Sequence, residues 1–438
     1  MSQIRPLTQE ELDLRIQKNF DRLCQPYYQI DQVFAPATYD WPGDKEGRAL
    51  LAFASHVKMT GNTVPCLPLM LAQLDEKTNE AGYFGPLAGP VIFEQQLSGH
   101  SWYLRGLCEC YGLYQDDACL RRLKSVFEEL YLPTAGHYAS YPLQRPDDHG
   151  DVSGHSGILV GDWNLSTDIG CAFMSIDGLS HYYAVTRDAR ALALLDEMID
   201  VFTGIDKVRL QAQTHCSLTA ARGMLRLYEL TGEERYLAGA RGVWSTYLQA
   251  GMTYTYQNYN WWGKGDTWTE PCAIVDSLIV ALQLYELTGD DRQLTLARRI
   301  WHNGMASAQR PNGGAGTDST VGPTTDTLQL LSYEAPFCCT MRLAEGLWWA
   351  QQHATELGAE LTGTLEQDSL GRWHDGDLLY AGIRGGAPAT LPELAHVREQ
   401  NGLRLTPLVQ FYRLDDETAA ALRQQVVFPR KKTPAPKA

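Results

Sequence analysis

An eleven-residue motif recurs in similar form 57 residues later and indicates a repetitive helical fold. Residues 227–237 read Leu-Tyr-Glu-Leu-Thr-Gly-Glu-Glu-Arg-Tyr-Leu, and residues 284–294 read Leu-Tyr-Glu-Leu-Thr-Gly-Asp-Asp-Arg-Gln-Leu. Gly232 and Gly289 suit the left-handed residue that closes a helix, and the acidic residues after them suit the first turn of the next one. Each phrase is therefore predicted to join the two helices of a hairpin.

Apolar residues recur at helical spacing before each phrase, whereas strand alternation is almost absent before residue 370. Helical hairpins repeated every roughly 40 to 70 residues must stack on one another, because one hairpin cannot bury its apolar face alone. About six hairpins fit between residues 10 and 355, which favours a closed (α/α)6 toroid. We predict this all-α domain over residues 1–355, a small accessory β-like region over 356–428 and a disordered tail over 429–438.

Charge and composition exclude several classes of function. A net charge of −15 argues against nucleic-acid binding, which depends on clustered Lys and Arg. No segment approaches the apolar length of a membrane helix, and the polar stretch Met1–Glu11 has no signal-peptide core. We therefore expect a cytoplasmic protein with no membrane partner, whose ten cysteines are reduced thiols. The sequence allows a homodimer without specifying one.

Three cysteines and one glutamate form a candidate metal site. Glu270 and Cys272 are separated by one residue, and the adjacent pair Cys338 and Cys339 follows later in the chain. A Cys3Glu set has the number and softness of donors that Zn²⁺ prefers. Because a closed toroid delivers loops from distant parts of the sequence to one central pocket, we expect these four residues to converge there.

The segment from Tyr254 to Trp268 is unusually aromatic and includes Trp261 and Trp262. Aromatic rings stack on the apolar faces of sugars, although such a loop can equally pack over the end of a toroid. We favour sugar binding for this segment.

Together these features resemble the zinc-dependent β-L-arabinofuranosidases, retaining glycosidases with a cysteine nucleophile and a helical toroid. The specific part of the resemblance is the Glu-x-Cys pair followed by Cys-Cys. Further similar stretches run from about residue 40 to about residue 350: Trp41-Pro42-Gly43-Asp44, Gly47-Arg48, Gly82-Tyr83-Phe84-Gly85, Gly99-His100, Thr214-His215 and Trp301-His302-Asn303-Gly304.

The resemblance implies that Glu270, Cys272, Cys338 and Cys339 bind zinc and that Cys338 is the nucleophile. It implies a terminal, furanose sugar as the group that is cleaved, through a cysteine-linked glycosyl intermediate.

The family's Glu acid/base precedes its metal-binding Glu, and the corresponding position in this chain is Tyr254. We expect Asp266 to take this role, and Glu334 is the other nearby carboxyl.

His100, Asp168 and His215 lie near the starts of helices where the family positions sugar-contacting residues, so we predict substrate contacts for them together with Trp261, Trp262 and Glu334. Packing or helix-capping roles would explain these residues equally well.

Three other functions fit parts of the sequence. One is a carbohydrate-binding pseudoenzyme in which zinc is structural. A toroid sugar epimerase would use a pair of histidines and no metal. A lanthionine-cyclase-like enzyme would need a Cys-His-Gly ligand stretch, but Thr340 follows Cys339.

Overall fold

The structure is a computed structural model that describes residues 8–35, 41–144, 153–383, 397–412 and 426–429. Most of the described chain is helical. The α-helices are α1 (Gln9–Leu23), α2 (Ile30–Val33), α3 (Asp44–Thr60), α4 (Cys66–Lys77), α5 (Glu94–Tyr114), α6 (Asp117–Val126), α7 (Ser175–Thr186), α8 (Ala189–Thr203), α9 (Thr214–Thr231), α10 (Glu234–Ala250), α11 (Pro271–Thr288), α12 (Asp291–Arg299), α13 (Ala306–Ala308), α14 (Cys339–Gln352) and α15 (Leu408–Phe411). Helices α6 and α12 continue as π-helical turns over Phe127–Tyr131 and Ile300–Met305.

Six long helices form a closed inner ring. Helices α3, α5, α7, α9, α11 and α14 each pack against the next, and α14 returns to pack against α3. The outer helices α1, α4, α6, α8, α10 and α12 each pack against one member of this ring. The predicted (α/α)6 toroid is thereby confirmed.

The repeated phrases end and begin helices as predicted. Gly232 and Gly289 close α9 and α11 in the left-handed conformation, with φ of 72° and 66°. Asp290 then caps α12, because its side chain accepts a hydrogen bond from the backbone N–H of Arg292. The hairpins therefore follow from local sequence signals.

Glycines allow the inner helices to approach one another closely. A Cβ atom at Gly47 on α3 would lie 2.2 Å from the backbone of Trp102 on α5, and one at Gly223 on α9 would lie 2.6 Å from the backbone of Ile176 on α7. No larger side chain fits at either contact without moving a helix. The tight ring draws the starts of its helices together.

Two small sheets accompany the helices in the described part of the chain. The strands are β1 (Ile92–Phe93), β2 (Ile158–Val160), β3 (Trp163–Leu165), β4 (Glu366–Gln367), β5 (Trp373–Asp375), β6 (Leu378–Ile383), β7 (Arg398–Gln400), β8 (Leu403–Pro407) and β9 (Val426–Val427). The first sheet has the order β1-β3-β2, and the C-terminal sheet has the order β4-β5-β6-β8-β7, with β9 also paired to β6. The C-terminal β-containing appendage is therefore present, whereas the predicted disordered tail lies outside the described residues except for Pro429.

The expectation that no segment reaches the apolar length of a membrane helix is wrong for α11. This helix has 18 residues and a mean hydropathy of 1.3, so by length and composition it is apolar enough to cross a membrane. It is 78% buried inside the protein, since it is one of the inner helices and packs against α9, α12 and α14. Its apolar composition is explained by its place in the ring.

Candidate active site

A cavity of about 260 Å³ opens where the inner helices begin. Five of the six inner helices, namely α3, α7, α9, α11 and α14, contribute residues from or just before their first turns. Helix N-termini carry partial positive charge, so this end of the ring favours thiolates and carboxylates. The lining residues are Trp41, Asp44, Arg48, Ser153, Gly154, Asp168, Met174, Gln213, His215, Cys216, Glu270, Pro336, Phe337 and Cys338.

The four predicted metal ligands converge at one wall of this cavity. Glu270 is the residue before α11 and Cys272 lies in its first turn, because Pro271 suits the first helical position. Cys338 and Cys339 occupy the corresponding places at the start of α14. The ligand atoms of these four residues all lie within 4.8 Å of one another.

The spacing of the donor atoms fits a tetrahedral ion. The Cys272 sulfur lies 3.0 Å from that of Cys338 and 3.6 Å from that of Cys339, and Cys338 lies 3.8 Å from Glu270 Oε1. An ion about 2.3 Å from each sulfur holds its ligand atoms roughly 3.5–3.8 Å apart, which most of these distances match. The donors therefore fit one metal ion.

A strained turn presents the Cys338 thiol. Phe337 has φ of 57°, which is costly for a bulky residue, and the N–H of Cys338 donates to the carbonyl of Pro336 at 2.6 Å. Cys272 and Cys339 are buried, whereas Cys338 and Glu270 are partly exposed and line the cavity. Of the three clustered thiols, Cys338 is thus the one that faces the cavity.

The thiols of the cluster are electrostatically unequal. Hydrogen bonds from Cys272 and Cys339 hold the pKa of Cys338 well below its usual range, and Arg48 adds to this effect. Burial raises the pKa of Cys272. The thiol that faces the cavity is therefore the most acidic of the three.

Two predicted residues, His215 and Asp168, also line the cavity. His215 donates from Nδ1 to Asp276 at 2.5 Å, while its Nε2 atom lies 3.4 Å from Arg48. Burial lowers the pKa of His215, so the ring is held neutral with Nε2 directed away from Asp276.

Asp168 is held by neutral donors. It accepts hydrogen bonds from Ser153 Oγ at 2.8 Å, the N–H of Gly154 at 2.9 Å and Trp261 Nε1 at 3.2 Å. The predicted residue Trp261 therefore reaches the site through its indole N–H.

Other predicted residues have structural partners. His100 is fully buried, with its ring nitrogens hydrogen-bonded to the backbone of Phe84 and Gln96. Trp262 donates to Ser217 inside the helical core. Neither side chain lines the cavity.

The two carboxyls considered for acid/base catalysis lie elsewhere. Asp266 is exposed and is not among the cavity-lining residues. Glu334 is ion-paired with Arg22 at 2.6 Å and accepts a hydrogen bond from Tyr28. Burial alone would raise the pKa of Glu334, but these two partners hold it below its usual range.

Asp44, Arg48 and Gln213 line the cavity but were missed by the sequence reasoning as site residues. Arg48 donates to Asp44 at 2.8 Å and lies 3.5 Å from the sulfur of Cys272. Gln213 donates to Glu270 at 2.6 Å, which orients that ligand. Their sequence positions could have identified two of them, because Asp44 begins α3 and Gln213 directly precedes α9.

Below the cavity the axis of the ring is filled by buried ion pairs. Arg342 and Arg222 both contact Asp276, at 2.6 and 2.7 Å. Glu345 in turn pairs with Arg105, Arg222 and Arg342. These buried side chains link the inner helices to one another beneath the cavity.

Comparison with known proteins agrees with this geometry. A family model described as "Beta-L-arabinofuranosidase, GH127 catalytic domain" matches residues 67–344, more than half of the chain. No curated protein matches.

Solved structures show the same fold at low sequence identity. A GH127 β-L-arabinofuranosidase from Geobacillus stearothermophilus T6 matches with a TM-score of 0.52 and 14% identity over 83% of this chain and 68% of that one. A sugar epimerase from a ruminal bacterium matches with a TM-score of 0.53 and 11% identity over 78% and 98%. A glycoside hydrolase matches with a TM-score of 0.50 and 15% identity over 70% and 55%, so the present chain spans little more than half of that protein. The fold is shared by several enzymes, but the matched family model is specific, and the chain belongs to the GH127 β-L-arabinofuranosidase catalytic-domain family.

Proposed function

We propose that the protein is a retaining glycoside hydrolase that removes a terminal sugar, in furanose form, with Cys338 as the nucleophile. The observation that carries the proposal is the place of the Cys338 thiol, which belongs to the four-donor cluster and also lines the cavity. A cavity of about 260 Å³ lies below the range of about 300–1,000 Å³ that is usual for drug-sized ligands, so it suits a single sugar ring.

Zinc is the metal that this site suits best. Glu270, Cys272, Cys338 and Cys339 would hold it, because three sulfurs and one carboxylate are softer donors than Mg²⁺ or Ca²⁺ prefers. When bound, Zn²⁺ keeps coordinated thiols deprotonated at neutral pH.

The reaction then proceeds in two displacements at the anomeric carbon. The Cys338 thiolate attacks the anomeric carbon as the bond to the leaving oxygen breaks, which produces a thioglycosyl intermediate. Water then displaces the sulfur, and two displacements give retention. Arg48 and His215 lie beside the thiolate and can donate and accept hydrogen bonds with sugar hydroxyls.

A panel of nitrophenyl furanosides and pyranosides tests the activity, since a good leaving group needs little acid assistance. We expect turnover of one furanoside, and a sugar-epoxide or haloacetamide label should attach to Cys338 in peptide mass spectra. A matched Cys110→Ser variant, altered at a buried core thiol of α5, should keep both activity and labelling. Release of sugar by a protein whose Cys338 stays unlabelled would refute the nucleophile.

A carbohydrate-binding protein without turnover is the second candidate, and the position of Tyr254 favours it. This residue, which corresponds to the family's acid/base, lines a separate cavity between α10, α12 and the C-terminal sheet. Without an acid/base the cavity would bind a sugar and leave it intact. Calorimetry showing that a sugar binds, together with its unchanged recovery and no label on Cys338, would establish this alternative.

An epimerase is less well supported. The related fold of a sugar epimerase shows architecture only, and His215 is the one histidine among the described residues that line the cavity. Epimerisation by a histidine pair would need a second one.

A further inference from the structure

Among the described residues, two carboxyls besides Glu270 line the cavity, and their surroundings differ. Asp44 is ion-paired with Arg48 at 2.8 Å, which stabilises its charged form. Asp168 is 4% exposed and receives its hydrogen bonds from a hydroxyl, a backbone N–H and an indole N–H. Among the described residues no Lys, Arg or His forms an ion pair with Asp168. Asp168 can therefore lose or gain a proton without breaking an ion pair, whereas Asp44 cannot.

We propose that Asp168 is the general acid/base of this glycosidase, in the role that the family gives to a glutamate at the position of Tyr254. The inference rests on the proposed function and adds the residue that retaining hydrolysis requires besides its nucleophile. Asp168 lines the same small cavity as Cys338, whereas Asp266, Glu334 and Tyr254 do not.

The proton balance closes with Asp168 alone. In the first step the proton of Asp168 moves to the leaving oxygen as the Cys338 sulfur bonds to the anomeric carbon and the glycosidic bond breaks. In the second step the Asp168 carboxylate takes a proton from water as the water oxygen bonds to that carbon and the bond to sulfur breaks. The enzyme returns to its starting state with thiolate and carboxylic acid restored.

Its surroundings suit both steps. Burial raises the pKa of Asp168 to about 6, the Glu94 carboxylate acts in the same direction, and the hydrogen bonds from Ser153 and Trp261 oppose them. A carboxyl near neutrality serves as acid and as base at working pH. The same hydrogen bonds fix the direction of its oxygens.

The experiment uses the full-length protein loaded with zinc and compares wild type with Asp168→Asn. Substrates are furanosides of one sugar with leaving groups that range from dinitrophenol to an alkyl alcohol. We expect Asp168→Asn to lower turnover of the alkyl furanoside by about 10²–10⁴-fold. The dinitrophenyl furanoside should instead give a rapid burst of dinitrophenol, equal to the enzyme concentration, followed by slow hydrolysis of the intermediate. Added azide should accelerate that slow phase and yield a glycosyl azide of retained configuration.

The matched control is Asp162→Asn, an exposed carboxyl on the turn between β2 and β3, which should behave as wild type with every leaving group. Asp266→Asn, measured in parallel, should also behave as wild type. The proposal is overturned if Asp168→Asn hydrolyses the alkyl furanoside at the wild-type rate, or if Asp266→Asn shows the burst and azide rescue instead.

The burst also shows whether the variant is folded, since it requires an intact nucleophile. If Asp168→Asn does not fold, Asp168→Glu is measured instead, because its carboxyl is displaced by one methylene. Turnover of the alkyl furanoside by Asp168→Glu at the wild-type rate, unchanged by azide, would count against the proposal. Failure of the proposed function looks different, because wild type itself would then release no dinitrophenol and carry no label on Cys338.

Discussion

Two levels of the ring, the cavity and the layer of buried ion pairs beneath it, are built by the same inner helices but differ in how their charges are paired. At the cavity end, thiols and carboxyls collect with Arg48 as the one arginine among the described lining residues. Deeper in the ring, Asp276 and Glu345 are surrounded by Arg105, Arg222 and Arg342. Arginines neutralise the deeper carboxylates and link the inner helices, whereas Asp168 at the cavity has no cationic partner among the described residues.

The aspartates at the two levels show the difference directly. Burial raises the pKa values of Asp44 and Asp168 to about 6. Burial alone would also raise the pKa of Asp276, but Arg342, His215 and Arg222 hold it far below its usual range. His215 links the two levels, since it lines the cavity and donates to Asp276.

The largest effect should come from the cavity end. Cys338→Ser removes the nucleophile, so kcat should fall on the order of 10⁴-fold or more, as for other enzymes that lose a nucleophile. Steady-state kinetics on the best nitrophenyl furanoside measure this. Wild-type kcat in a zinc-loaded Cys338→Ser protein would contradict the assignment of chemistry to this end.

A change in the ion-paired level should act on stability. Glu345→Gln leaves Arg105, Arg222 and Arg342 without a shared carboxylate, so the free energy of unfolding should fall by about 3–5 kcal/mol. Denaturant unfolding measures this, and the exposed Glu229→Gln on α9 is the control, expected within about 0.5 kcal/mol of wild type. An unchanged stability for Glu345→Gln would show that the ion pairs do not hold the ring together.

The two aspartates should differ in the pH dependence of unfolding. Asp168 has a folded pKa of about 6 against 3.8 as its ordinary value, so its contribution to stability is complete below pH 3.8 and is lost as the pH rises through 6. The stability of wild type relative to Asp168→Asn should therefore fall by about 2 kcal/mol between pH 4 and 7.

For Asp276 the folded pKa is depressed, so its contribution is present above pH 3.8 and is lost only as the pH falls through the lower folded value. The stability of wild type relative to Asp276→Asn should stay flat over pH 4 to 7. If stability depends on pH in the same way for the Asp168→Asn and Asp276→Asn comparisons, the proposed difference between the two levels is wrong.

A smaller effect tests how the cavity wall holds its ligands. Gln213→Leu removes the hydrogen bond to Glu270, so affinity for Zn²⁺ should fall about 10–100-fold. Competition with a chelator measures this without any substrate. Gln249→Leu, an exposed change on α10, should leave zinc affinity as it is. Equal affinities for wild type and Gln213→Leu would show that Glu270 needs no support from Gln213.

Much of the fold follows from local signals in the sequence. Gly232, Gly289 and the acidic residues after them mark helix boundaries, and the repeat of those signals implies a ring. Glu270, Cys272 and the Cys338–Cys339 pair could be grouped because zinc chemistry restricts which residues belong together.

The rest of the site depends on directions that sequence spacing does not encode. Asp266 lies close in sequence to Glu270, yet its loop turns it to solvent. His215 lies in the first turn of α9, but His100 lies in the second turn of α5, where backbone groups of Phe84 and Gln96 bond both of its nitrogens. Arg48 and Gln213 contact the cluster only because distant helices close into a ring, which tertiary packing decides.

X-ray absorption at the zinc edge tests the central claim most directly, together with a count of metal per chain. We predict one zinc per protein with three sulfur neighbours at about 2.3 Å and one oxygen neighbour at about 2.0–2.2 Å. Loss of one sulfur neighbour in Cys338→Ser would assign the sulfur that faces the cavity. A protein that takes up no zinc, or holds it through nitrogen and oxygen alone, would contradict the account.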